Sequence, residues 1–167
     1  MNKRSAKESA FIEIVQSCSG IINSLCSVFY SDQHERKDAR QDIMIQLWRS
    51  FDNFKGRSSI NTWVYKLSLN TLIKRKRNHH KRYIIGLDEM AQQPITKMST
   101  YSDDDIQMLY NMMADLDPLD KGIMILYIEG YKYNEIGDIL SLSTTNVSSK
   151  INRIKKRLNK VYKSTEV

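Results

Sequence analysis

The sequence predicts an all-α protein built as two small helical domains joined by a linker, and three observations lead there. Apolar residues recur at three- and four-residue spacing in nearly every segment, while strand-like alternation is nowhere convincing. Only 6 glycines and 2 prolines punctuate the 167 residues, too few for a turn-rich β architecture. The helical pattern lapses once, from Leu87 to about Ser102, where polar residues, Pro94 and a run of Ser and Thr replace it and acidic residues gather at Asp88, Glu89 and Asp103 to Asp105. These shifts place a first domain at 1–82, a linker at 83–104 and a second domain at 105–167.

In the first domain the periodicity marks helices near Ala6 to Ser17, Gly20 to Tyr30, Glu35 to Phe51 and Ser59 to His80. Their apolar stripes run through Phe11, Ile14 and Val15, then Ile21, Ile22, Leu25 and Phe29, then Ala39, Ile43, Leu47 and Phe51, then Ile60, Trp63, Val64 and Leu67. One bundle core accounts for all four stripes. The loop Asp52 to Ser58 carries Gly56 and ends at Ser58 and Ser59, either of which can cap the following helix.

The second domain opens with a helix from about Asp103 to Leu116. Asp117 then supplies an N-cap and Pro118 a first helical position for a helix that runs to Glu129 and stops at Gly130. A short helix, Tyr133 to Leu140, is joined through Ser141-Leu142-Ser143 to a long basic helix from Thr144 to about Tyr162. That arrangement is a helix-turn-helix. Gly137 supplies the small residue needed where the two helices cross, and Ile136, Leu140, Leu142, Val147 and Ile151 can fill the space between them and the Ile123 to Tyr127 segment. Ser143 can cap the second helix, whose first turn, with Thr144 and Thr145, is suited to phosphate or groove. Its exposed candidates for base edges and phosphates are Thr145, Asn146, Ser148, Ser149, Lys150, Asn152 and Arg153, with Lys155, Lys156, Arg157 and Lys160 continuing the charge. A solvated basic helix end complementing the helix dipole is the competing reading, strongest for Lys160 and Lys163.

A net charge of +7 and a pI near 9.4 favour polyanionic partners without choosing among DNA, RNA, an acidic protein and a membrane surface. Cys18 and Cys26 have no second pair and no neighbouring histidine, so neither a metal site nor a disulfide framework is expected; both read as small buried residues. The basic N-terminus is followed by Glu8 and Glu13 and not by a long apolar run, which argues against a signal peptide, and no stretch approaches the roughly 18 apolar residues a membrane span needs. The expected location is the cytoplasm, with no membrane insertion.

The run Asp38-Ala-Arg-Gln41-Asp42-Ile-Met-Ile-Gln-Leu-Trp48, then Phe51-Asp-Asn-Phe54-Lys-Gly56, then Thr62-Trp63-Val-Tyr65-Lys-Leu-Ser-Leu-Asn70 and the basic tract Lys74-Arg-Lys-Arg77-Asn-His-His-Lys81-Arg82 resemble region 2 of bacterial extracytoplasmic-function sigma factors. The second half resembles region 4 of the same family. Together the resemblance spans about residues 8 to 163, in order and with the linker in the expected place.

It implies a sigma factor that binds core RNA polymerase, through the beta-prime clamp helices and the beta flap, and directs it to promoter DNA. No catalytic residue and no cofactor are implied. Asp38, Gln41, Asp42 and Arg49 lie off the apolar stripe of their helix; by charge pattern alone they read as a solvated face, and the resemblance makes them the polymerase-docking patch. Also by resemblance, the Asp52 to Ser58 loop receives a base flipped from the minus-ten element, which makes melting depend on sequence. Asn53, Lys55 and Arg57 are its candidates. Asn61, Thr62, Tyr65, Lys66, Asn70, Lys74 and Arg77 on the next helix continue the minus-ten surface, with amide and aromatic groups beside cations that can track single-stranded DNA. The helix-turn-helix would read the minus-thirty-five element. An anti-sigma partner covering these faces is common in the family.

Phe54 and Trp63 read as packing, although Trp63 at that place could also be a melting wedge; His79 and His80 read as solvated. Three departures bear on the helix-turn-helix: Lys132 stands where Ser or Thr usually caps the first helix, Ser141 replaces the usual glycine of the turn, and Asn146 stands where Thr is common. The rival readings are a polymerase-independent helix-turn-helix regulator with an N-terminal sensing or dimerisation domain, and a DNA recombinase. The recombinase needs an activated Ser or Tyr ringed by arginines, and the basic run here is lysine-rich without acid–base partners. An RNA-binding role is not separated by charge, though a helix-turn-helix argues for duplex DNA.

Overall fold

The computed structural model describes residues 3–84 and 113–165 and divides the chain into two compact units, Met1–Met90 and Ala91–Val167. Among the described residues the regular structure is helical, with no strand. The expected linker begins at 83, but the helix before it runs on through Ile84; the rest of the linker and most of the helix expected from Asp103 to Leu116 lie outside the described residues.

The first unit comprises α1 (Lys3–Ser17), α2 (Ser19–Phe29), α3 (Gln33–Ser50), a single 3-10 turn (Phe51–Asn53) and α4 (Ile60–Ile84). Helix α3 starts two residues before the expected Glu35 because Asp32 caps it, its carboxylate accepting from the N–H groups of His34 and Glu35, both at 2.9 Å. Those bonds, the Glu35 N–H foremost, hold the Asp32 carboxyl below the usual carboxylate range. The α2–α3 connection is stapled by Arg36, which donates to the carbonyls of Tyr30 (2.7 Å) and Ser31 (3.0 Å). Ile22, Leu25 and Phe29 of α2 meet Ala39, Ile43 and Leu47 of α3 and Val64, Leu69, Leu72 and Ile73 of α4 in a closed core. Each such Leu or Ile contributes about 1.5–3 kcal/mol by leaving water.

The buried face of α4 is rotated about the helix axis from its expected stripe. Val64 of that stripe is fully buried, whereas Ile60, Trp63 and Leu67 are only half-buried. Burial passes instead to Tyr65, Ser68, Leu69, Leu72 and Ile73. Phe11, Ile14 and Val15 are likewise half-buried, so α1 packs at the edge of the bundle. Cys18 and Cys26 are buried and free, and burial pushes the Cys26 thiol up to about 11, which leaves it protonated at neutral pH. No single described helix is long and apolar enough to cross a membrane; α1 and α2 pass that test only as a pair bent by 58°, and the apolar face of α2 is spent on the core.

The second unit contains α5 (Pro118–Ile128), α6 (Tyr133–Leu140) and α7 (Thr144–Thr165). Asp117 caps α5 with Pro118 at its first position, as the sequence predicts. Lys132 has no side-chain oxygen to cap α6, so only the return half of a capping box forms, the Lys132 N–H donating to Glu135 Oε2 at 2.7 Å. Ile123, Leu126, Ile136, Ile139, Val147, Ile151 and Ile154 close the core; Ile139 and Ile154 were not among the expected anchors, and the expected Leu142 is half-buried.

The turn explains Gly137. A Cβ on it would lie 2.5 Å from the carbonyl oxygen of Leu142, so the position makes room for the turn backbone and not for the crossing helix itself. The same turn is tied by the Leu142 N–H donating to the Gly137 carbonyl at 2.9 Å. Ser141 ends α6 in the left-handed region at φ 57° and ψ 47°, doing the work usually given to glycine. Two substitutions should therefore act in opposite directions in urea unfolding. Gly137→Ala should destabilise the second unit by about 1–3 kcal/mol through the backbone clash, whereas Ser141→Gly should stabilise it by about 0.5–1 kcal/mol by removing left-handed strain.

Candidate nucleic-acid and polymerase interface

Three surfaces hold the residues singled out from sequence. On α3, Asp38, Gln41 and Arg49 are exposed. Asp42 is half-buried and engaged: Arg75 of α4 donates Nη1 to Asp42 Oδ2 at 2.5 Å and Nη2 to Glu35 Oε2 at 3.1 Å, with Asp38 Oδ2 further off at 3.9 Å. Asp42 thus belongs first to an α3–α4 ion pair and is only partly available at the surface. Burial works against the Arg75 charge, but the two carboxylates outweigh it and hold the guanidinium protonated. The exposed part of the α3 face includes two apolar side chains that periodicity placed in no stripe, Ile45 (46% exposed) and Trp48 (37%). Ile45 sits one turn from both Gln41 and Arg49, and Trp48 one turn from Ile45, so the patch is apolar as well as polar.

The loop after α3 is held by its aromatic residues. Phe54 stacks on Trp63 at 4.9 Å between centroids, Phe51 lies 6.4 Å from the same ring, and Phe11 meets Trp48 and Phe51 edge-on at 5.0 and 5.5 Å. Trp63 is therefore a packing residue of this cluster. Lys7 adds a bridge to Asp52 at 2.6 Å while lying 4.5 Å over the Trp48 ring. Gly56, at φ +68°, turns the chain in a conformation other residues rarely adopt, and Ser59 caps α4 by accepting from the Thr62 N–H at 3.1 Å. Anchored at both ends, the loop leaves Asn53, Lys55 and Arg57 exposed.

Along α4, Lys66, Asn70, Lys74, Arg77 and Lys81 fall at helical spacing on one exposed stripe. Other expected members stand differently. Tyr65 is 7% exposed and belongs to the core, because its position falls on the face turned toward α2 and α3; its ring is not on the surface. Thr62 is half-buried with its hydroxyl 2.9 Å from that of Ser59, and Asn61, though exposed, accepts from the Cys18 thiol at 3.6 Å. The basic tract is split as well: Arg75 turns to the carboxylates and Lys76 lies 3.9 Å over the Tyr30 ring. His79 and His80 are exposed.

Helix α7 divides lengthwise into three. Val147, Ile151, Ile154 and Leu158 face the core. Thr145, Ser149, Asn152 and Lys156 form an outward, exposed stripe, with Asn146 beside it. The third stripe turns back on α5 and the residues before it. Lys150 donates to Asp120 Oδ1 at 2.7 Å, Arg153 to Asp120 Oδ2 at 3.2 Å, and Arg157 to the Asp115 carbonyl at 3.2 Å. Lys155 donates to the Tyr127 hydroxyl at 2.6 Å, a contact that raises its pKa. Lys150 was expected to be exposed; its side chain is only 18% accessible, because a buried carboxylate on α5 draws it inward. Ser148 is half-buried, whereas Arg153, at 68%, keeps most of its surface in solvent. Ser143 caps α7 as expected, accepting from the Asn146 N–H at 3.2 Å. Among the described residues no cluster of His, Cys, Asp and Glu could hold a metal ion.

Known proteins reproduce both the pattern and the order of its parts. The sigma-70 region 2 family matches residues 14–82 and the sigma-70 region 4 family matches residues 106–158. The chain is 24% identical to the ECF RNA polymerase sigma factor SigW of Bacillus subtilis over 166 residues, covering 92% of this chain and 89% of that protein. It is 26% identical to the RNA polymerase sigma factor SigS of Staphylococcus aureus over 136 residues, covering 80% and 87%. In fold it is similar to the sigma factor RpoE of Bartonella quintana, solved with the anti-sigma factor NepR, with a TM-score of 0.76 at 17% identity over 92% of this chain and 97% of that one. It is also similar to CnrH, solved with the cytosolic domain of CnrY, with a TM-score of 0.63 at 17% identity over 94% and 90%. With regions 2 and 4 in order, the chain belongs to the extracytoplasmic-function branch of the sigma-70 family of bacterial RNA polymerase sigma factors.

Proposed function

We infer that this chain binds core RNA polymerase and directs it to promoters, working in the cytoplasm and contributing no chemical step of its own. The observation that carries the reading is the succession, in one chain, of a region 2 unit and a region 4 unit that each present an exposed polar or basic stripe beside an apolar core. The polymerase face is Asp38, Gln41 and Arg49 on α3, with Ile45 and Trp48 supplying apolar area that a purely electrostatic contact would lack. The loop residues Asn53, Lys55 and Arg57 and the α4 stripe from Lys66 to Arg77 hold the opened minus-ten strand, cations on the backbone and amides on base edges. In the minus-thirty-five duplex, Thr145, Asn146, Ser149 and Asn152 enter the major groove and Lys156 meets phosphate. The similar sigma factor RpoE was solved with an anti-sigma factor, and a partner of that class would cover these same faces.

Co-elution of the full chain with core RNA polymerase tests the docking face. Asp38→Ala combined with Arg49→Ala should weaken binding by about tenfold or more with an unchanged thermal midpoint, since neither side chain is held in the core. Asp42→Ala should lower binding and stability together, because it removes one of the two carboxylates that hydrogen-bond Arg75 and leaves Glu35 alone to hold it. No binding to core, joined to tight duplex binding by the chain alone, would instead support a polymerase-independent regulator.

For the upstream element, Asn152→Ala and Ser149→Ala should each cost roughly 1–3 kcal/mol of discrimination at one position, measured with the holoenzyme on promoters selected from a random library. Lys156→Ala should weaken all duplexes alike and reduce the salt slope by about 1.

A further inference from the structure

Asp120 is a carboxylate with little else to explain it. It lies in the first turn of α5, its side chain is 10% exposed, and it neither caps the helix, a role Asp117 fills, nor pairs within its own helix. Each of its oxygens meets a cation of α7, Lys150 at 2.7 Å and Arg153 at 3.2 Å. Both cations sit on the stripe adjoining Ser149 and Asn152, at positions from which a long side chain otherwise sweeps toward phosphate.

We propose that Asp120 is a positioning residue for promoter reading: it draws Lys150 out of the DNA-facing surface and tethers Arg153 at its edge, leaving the short polar side chains of α7 to contact the bases. The inference rests on α7 being the duplex-reading helix. Its physical content is a trade of affinity for specificity. A lysine free to reach phosphate adds binding to every sequence equally, because the released counterion carries no information about the bases. A lysine locked on a buried carboxylate adds none, and it fixes the rotation of α7 against α5, so that the Thr145–Ser149–Asn152 stripe faces outward. Loss of Asp120 would free Lys150 for the phosphate backbone and remove the lock at the same time; Arg153, already 68% exposed, changes little.

The test is the salt dependence of binding by the full chain to random-sequence duplex, followed by the ratio of affinities for a selected upstream element and random duplex. Asp120→Asn should steepen the slope of log K against log salt by about one and lower that ratio severalfold. Adding Lys150→Met to Asp120→Asn should return the slope to that of the parent. Lys150→Met alone keeps Asp120 paired with Arg153 and should leave the slope unchanged, which serves as the decisive arm should Asp120→Asn fold poorly. A shallower slope for Lys150→Met would make Lys150 a phosphate contact and overturn the proposal. An unchanged slope for a folded Asp120→Asn, with only a lower thermal midpoint, would reduce Asp120 to a structural brace. The slope on random duplex is read without polymerase, so failure of the chain to bind core would count against the sigma reading and not against this one.

Discussion

A helix that is to bind a polyanion must be cationic, and a helix that is to pack in a bundle cannot be cationic all round. Both long helices of this protein meet that constraint in the same way, by dividing their length into a core stripe, an outward stripe and a stripe whose cations are neutralised by carboxylates from a neighbouring helix. In α4 the neutralised cation is Arg75, held by Glu35 and Asp42 of α3. In α7 it is Lys150, with Arg153 at its edge, held by Asp120 of α5. Each arrangement turns charge that would be an obstacle to packing into a contact between neighbouring helices.

The energetics follow from burial. Exposed ion pairs contribute little, but the Asp120 carboxylate and the Lys150 ammonium are both largely removed from solvent, where loss of one partner leaves a charge without compensation. These pairs need not add stability relative to an apolar substitute, although breaking one leaves its partner short of counter-charge. The surrounding cores, built on Leu47, Leu69 and Leu72 in one unit and on Ile123, Ile136 and Ile151 in the other, provide the bulk of the driving force and tolerate no large change of packing angle.

The aromatic cluster has a comparable role for the loop between α3 and α4. Phe51 against Phe11 and Phe54 against Trp63 fasten the first half of a segment whose remaining residues are polar and exposed, and the Ser59 cap fastens its far end. If Asn53, Lys55 and Arg57 contact a single strand, as proposed, fixed flanking residues spare the loop the conformational entropy of ordering on binding. The local left-handed turns at Gly56 and Ser141 complete the framework, one by glycine and one by a serine under strain.

Composition and three-to-four periodicity determined the helical class and the positions of the described helices to within a few residues, because an amphipathic stripe is a property of the chain itself. The Asp117–Pro118 start and the Ser143 cap were legible for the same reason: capping is local chemistry. The ordered motifs sufficed to point to the family. What periodicity could not decide was which face of an all-round mixed helix turns inward. Tyr65 and Lys150 have residue types suited to a nucleic-acid surface, yet one is taken by the core and the other by Asp120; Ile45 and Trp48 have core residue types and are left partly outside. Those outcomes depend on partners thirty or more residues away in the chain, and only the packed structure brings Asp120 to Lys150 and Asp42 to Arg75, because a buried charge must find its counter-charge wherever the fold places one.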